Sequence, residues 1–134
     1  MESRIQEAVS KKQSGNYNCA QAVACTYCDL ANISEETMKN ITKAFGSGMG
    51  NMEGTCGSLV GAGVILGLLK KDRAQAAKAM REMMARFQER NKAVRCRDLK
   101  GVDTKTVLRQ CNDCVADAAE FLEDLLQEHC EEQQ

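Results

Sequence analysis

Proline is absent from all 134 residues. Nothing in the chain therefore deletes a backbone donor or forces a kink inside a helix, and breaks fall to glycine and a few Asn or Asp positions. Read that way, the spacing predicts a first helix from about Glu2 to Gln13, ending at Gly15, and a second from about Asn18 to Ala31. Ser34, followed by Glu35 and Glu36, reads as the N-cap of a third helix running to about Phe45. A glycine-rich loop, Gly46 to Gly54, precedes a fourth helix from about Thr55 to Leu69. Asp72 caps a fifth, whose apolar residues Ala76, Met80, Met83 or Met84, and Phe87 recur at helical spacing. After a connection holding Cys96 and Gly101, Asp103 is expected to cap a long last helix with Leu108, Cys111, Val115, Ala118, Leu122 and Leu125 on one stripe. No alternating strand pattern occurs, so the expected fold is all-α: a single domain over residues 1–134, built as a bundle of five or six helices with a frayed C-terminal tail.

A chain of this length buries roughly two thirds of its surface, enough for one core. Its 18 Lys and Arg against 19 Asp and Glu leave a net charge of −1, which offers no basic excess for nucleic acid. The start MESRIQEAVSKKQ lacks the apolar stretch of a signal peptide, and the apolar run Ser58 to Leu69 is too short to span a bilayer. The expected location is the cytosol, without membrane insertion. Eight cysteines in a reducing compartment read as redox or metal-binding thiols rather than as a disulfide framework. The single histidine, His129, lies near the C-terminus and leaves no partner for a Cys/His or Ser/His/Asp hydrolase.

Local electrostatics separates the thiols. Cys56 follows the glycine-rich loop in the expected first turn of the fourth helix, where free N–H groups and the helix dipole favour an anion. Gly57, Ser58 and Gly61 behind it allow a neighbouring backbone to come close. Cys19 lies in the first turn of the second helix, Cys96 stands between Arg95 and Arg97, and Cys111 faces inward on the last helix. The pairs Cys25/Cys28 and Cys111/Cys114 have C-x-x-C spacing, but inside a helix such side chains stand roughly 5–6 Å apart at Cβ, too wide for an unstrained disulfide. Core or interface packing is the expected role of Cys25 and Cys28. The loop glycines Gly46, Gly48 and Gly50 follow a helix rather than a strand and lack a Gly-Lys-Ser/Thr ending, so a phosphate-binding reading is weak.

Several linked segments then carry a resemblance: Asn18-Cys-Ala-Gln-Ala-Val23, Phe45-Gly-Ser-Gly-Met-Gly50, Glu53-Gly-Thr-Cys-Gly57, Gly61-Ala62, Arg86-Phe87, Cys96-Arg-Asp-Leu99, and Cys111 ahead of Val115-Ala-Asp-Ala-Ala119. In order and spacing the chain resembles the C_GCAxxG_C_C family of redox-active cysteine proteins over about residues 15–127, and it is similar to the cluster-bearing part of split-Soret cytochromes. The resemblance maps the hallmark cysteines onto Cys19, Cys56, Cys96 and Cys111. Ser58 stands where the family has alanine, and Cys25, Cys28, Cys114 and Cys130 are additional. No C-x-x-C-His is present, so haem attachment does not carry over.

The leading reading is that Cys19, Cys56, Cys96 and Cys111 converge to bind an iron–sulfur cluster for electron transfer or sensing, supported by Gly57, Arg95, Arg97 and the N-termini of the second and fourth helices. One rival is a metal-free thiol–disulfide oxidoreductase in which Cys56 attacks and another thiol resolves. The other is a structural zinc site or interaction module without catalysis. The expected partner is a redox protein or a small thiol or disulfide. An apolar second helix and the extra cysteines are compatible with a homodimer.

Overall fold

The computed structural model describes residues 2–132, with side chains described as far as Glu128. His129, Cys130 and the expected frayed tail lie outside the described side chains and residues. The structure is 70% helical and holds no strand among the described residues, as expected of an all-α protein. Helices α1 (Ile5–Gln13), α2 (Cys19–Tyr27), α3 (Glu35–Thr42), α4 (Gly57–Leu69), α5 (Arg73–Asn91), α6 (Cys96–Leu99) and α7 (Cys111–Glu132) follow in order, with a 3₁₀ segment at Cys28–Ala31. The described helices number eight rather than five or six. The extra two arise where α2 tightens into the 3₁₀ turn before left-handed Asn32, and where the connection around Cys96 coils into a single turn.

The caps at Ser34 and Asp72 form as read: Ser34 Oγ accepts from Thr37 N–H at 3.1 Å, and Asp72 Oδ1 from Gln75 N–H at 2.9 Å. Asp103 caps nothing. The last helix begins eight residues later, at Cys111, because residues 100–110 turn back on themselves. Gly101 and Lys105 both adopt positive φ, and the N–H groups of Leu108 and Arg109 both reach the Leu99 carbonyl. Asp103 instead accepts from Arg97, and Leu108, expected on the inner stripe, is exposed.

The core joins Val23 and Tyr27 of α2, Leu59, Ile65 and Leu66 of α4, Met83 and Phe87 of α5, and Val115, Ala118 and Leu122 of α7, all buried. Helix α2 is covered by α1, α3, α4 and α7 of its own chain, so its apolar surface is already occupied without a second copy. The tightest crossing is that of α2 on α4. A Cβ added at Gly61 would lie 2.4 Å from the Ala20 carbonyl oxygen, and one at Gly57 would lie 2.7 Å from the Phe45 carbonyl oxygen and 3.4 Å from Cys19 Cβ. No described helix is long and apolar enough to cross a membrane.

Backbone cannot yield as a flexible side chain can. We therefore expect Gly61→Ala to cost about 1–3 kcal/mol in urea denaturation through overpacking. Gly67→Ala, on the same helix with nothing within 4 Å of the new methyl, should be neutral or stabilising by about 0.5–1 kcal/mol.

Candidate functional site

The four hallmark cysteines all lie at helix starts. Asn18 caps α2 through a capping box, its Oδ1 accepting from Gln21 N–H at 2.8 Å while Gln21 Oε1 accepts from Asn18 N–H at 2.9 Å, which makes Cys19 the first helical residue. Cys56 is itself the N-cap of α4, one position ahead of the first turn where sequence had placed it. Cys96 opens α6 and Cys111 opens α7.

Backbone bonds bring the starts together. The N–H of Cys56 donates to Val94 O at 2.8 Å and that of Cys96 to Gly54 O at 3.0 Å, either side of an antiparallel bridge between Thr55 and Arg95. These two bonds clip α4 and α6 side by side. The glycine-rich loop folds over them. A Cβ at Gly48 would lie 2.5 Å from Cys96 Cβ, and one at Gly46 would lie 2.5 Å from Asn18 Cβ. Close approach thus accounts for these two glycines without a phosphate.

The result is a cavity of about 340 Å³ whose wall includes Cys19, Cys56, Cys96 and Cys111 together with Lys12, Asn18, Ser47, Gly57 and Lys100. Cys19, Cys56 and Cys96 are buried, Cys111 half-buried. Cys25 and Cys28 lie elsewhere, the first with its thiol 3.8 Å from the Glu35 carbonyl oxygen and the second bonded back to Cys25 O at 3.3 Å. Among the described residues, no three His, Cys, Asp or Glu side chains stand close enough to hold a metal ion.

The sulfurs interact in pairs. Cys111 accepts from the Cys19 thiol and from the Lys100 ammonium, and its pKa falls to about 5. Cys56 contacts Ser58 Oγ at 3.0 Å, and the neighbouring Cys114 thiol together with that contact outweighs burial to bring it to about 6. The thiols Cys19 and Cys114 are pushed up, first by these same neighbours and then by burial. Cys96 is raised by burial, with Lys100 opposing. Burial works against the charge of Lys100, but its bond to Cys111 prevails and the ammonium is held. Lowered and raised thiols therefore stand side by side in a small volume.

Arg95 and Arg97, expected to offset thiolate charge, point away. Arg95 binds Asp98 and Glu53, and Arg97 binds Asp103 and Glu53, because carboxylates lie within reach on the surface where both guanidiniums are. They pin the glycine-rich loop through Glu53. Lys100 is the cation that meets sulfur. Sequence reading did not single out Lys100, and it had Cys114 only as an additional thiol in a C-x-x-C pair with Cys111, outside the hallmark four.

Residues 17–125 match the family model described as "Putative redox-active protein (C_GCAxxG_C_C)". The chain belongs to this family. No curated protein and no solved structure shows detectable similarity to this C_GCAxxG_C_C chain.

For the reduced, metal-free protein, the thiolate of Cys111 should persist as pH falls below 9, the usual thiol value, and disappear only as pH falls through about 5. Iodoacetamide labelling mapped to Cys111 across that range should show this midpoint. Lys100→Met should move it upward, since the thiolate loses its cation.

Proposed function

We propose that Cys19, Cys56, Cys96 and Cys111 hold an iron–sulfur cluster of the two-iron type, used to pass or sense electrons. The observation that carries this reading is the gathering of four thiols, each from a separate helix start, on the wall of one cavity. Thiolate is the donor that iron–sulfur clusters take, and four complete the set. Sulfurs spread around a cavity of about 340 Å³ suit a group of several atoms better than a single ion.

The chain's own residues would do three things for such a group. The N-termini of α2, α4 and α7 place unpaired N–H groups toward the thiols, each end contributing about 0.3–1 kcal/mol in favour of negative charge. Lys100 adds a full positive charge at Cys111. Leu59, Leu99 and Val115, all buried around the cysteine-bearing ends, limit water and so strengthen these interactions. When bound, the cluster would supply a one-electron centre that the protein side chains lack. A redox partner protein would meet it at the cavity mouth.

Protein purified without oxygen should show broad visible absorption with matching iron and acid-labile sulfide, and Cys56→Ser should lose both. Colourless wild-type protein free of iron, even after incubation with ferrous iron and sulfide, would overturn the assignment.

A further inference from the structure

We propose that the corner between α4 and α5, together with the outer face of α5, docks on the anionic headgroups of a lipid bilayer. This goes beyond the cluster reading and uses none of the cysteines. The unpaired positive charge of the chain is gathered in one place. Arg4, Arg86, Arg90, Arg95, Arg97 and Arg109 are all paired with carboxylates. Among the described residues the arginines without an ion pair are Arg73 and Arg81, and both belong to α5. Lys70, Lys71 and Lys78, close to them in sequence, are unpaired as well. A chain with a net charge of −1 thus keeps a local basic excess between residues 70 and 81.

The helix turns these charges outward. At about 100° per residue, Arg73, Ala77, Arg81, Ala74 and Lys78 fall in that order within an arc of about 140° on α5. All of them are exposed. The arc holds no carboxylate: Asp72 is the N-cap, its Oδ1 accepting from Gln75 N–H, and Glu82 lines the groove between α5 and α7. The alanine methyls keep the face low, so its cations can meet a flat surface together. Just ahead of it stands Leu68, 46% exposed in the last turn of α4 beside exposed Gly67. An apolar side chain flanked by Lys70, Lys71 and Arg73 suits the boundary between headgroups and acyl chains, where leucine dips inward and the cations stay among the phosphates.

Other anionic occupants fit less well. The groove of about 240 Å³ beside this face carries Glu82 and Glu128 along with Lys70 and Lys78, so an acidic peptide side chain entering it meets both signs of charge. A nucleic acid gains nothing from Leu68 and finds no aromatic side chain on the arc for its bases. A helix bearing roughly four to eight basic residues is what an anionic lipid surface attracts. Docking there also leaves the cavity free. Helix α4 has 13 residues and is about 20 Å long, with Cys56 at its start and the basic corner at its end.

The test is cosedimentation of the full chain with vesicles of phosphatidylcholine alone, or with about a third phosphatidylserine. The protein should bind only the anionic vesicles and leave them in about 0.5 M sodium chloride. Lys78→Gln and Arg81→Gln should each weaken binding about fivefold, and Leu68→Asn about three- to tenfold. Lys43→Gln, which removes an exposed cation at the end of α3, should leave binding as it is. All four replaced side chains are exposed, and circular dichroism confirms the fold of each variant before binding is compared. Iodoacetamide labelling of Cys111 should proceed at the same rate with and without vesicles. No binding to the anionic vesicles, equal binding to the neutral ones, or an equal loss from Lys43→Gln would overturn the proposal. So would binding indifferent to Leu68→Asn, which assigns the surface to an acidic protein, or labelling slowed by vesicles, which puts the cavity against the bilayer.

Discussion

Everything at the cavity depends on how closely α2 and α4 approach each other. Their contact has no side chain between the two backbones at Gly61, where the Ala20 carbonyl occupies the space of a missing methyl. The same contact continues at Gly57, one residue after Cys56 and against Cys19 and Ala20. A crossing so short places two helix N-termini, each bearing a thiol, on the same wall. Any larger residue at these positions would separate the ends, so Gly57, first read as a support for the site, acts through distance and not through chemistry.

The other two thiols arrive by different means. Cys96 is delivered by the backbone clip that pairs Gly54 and Cys56 with Val94 and Cys96, a piece of strand-like bonding inside an otherwise helical protein. Cys111 is fixed by polar bonds. Asp117, buried one and a half turns into α7, accepts from Arg109, Arg90 and Asn91. It thereby ties the start of α7 and the residue two before Cys111 to the end of α5. The carboxylate is nearly removed from water, yet its oxygens are saturated by donors, the condition under which a buried charge holds a fold in register. Removing it would loosen the position of Cys111 from a distance.

Much of this was legible in the chain. Helical periodicity, the caps at Ser34 and Asp72, and the glycine spacing of α4 are local properties, and local sequence determines them. Cys19, Cys56 and Cys96 were legible because helix starts and loops leave marks of their own, and Cys111 because it lay on the apolar stripe of the last helix. What was not legible depends on the fold. Asp103 looks like a cap until Arg97 offers it a bidentate partner, and Arg95 looks like a thiolate partner until Glu53 and Asp98 come within reach. Lys100 was not singled out, and Cys114 was kept outside the hallmark four, for the converse reason: each meets its sulfur only after α6 and α7 have docked on α4 and α2, a contact that sequence spacing does not contain.

The pairing of thiols reflects a limit on how much negative charge one small volume can hold. Four thiolates in a buried cavity would repel one another strongly, so in the absence of a metal two give up their charge and become donors to the other two. Cys19 serves Cys111, and Cys114 serves Cys56. Each protonated donor removes the need for a further cation, which explains how one ammonium, Lys100, suffices at the sulfurs when Arg95 and Arg97 are engaged elsewhere. The same arrangement bears on the proposed cluster site. In the proposed cluster-bound state, Cys19, Cys56, Cys96 and Cys111 would hold the metal as thiolates, with Lys100 beside Cys111 offsetting part of their charge.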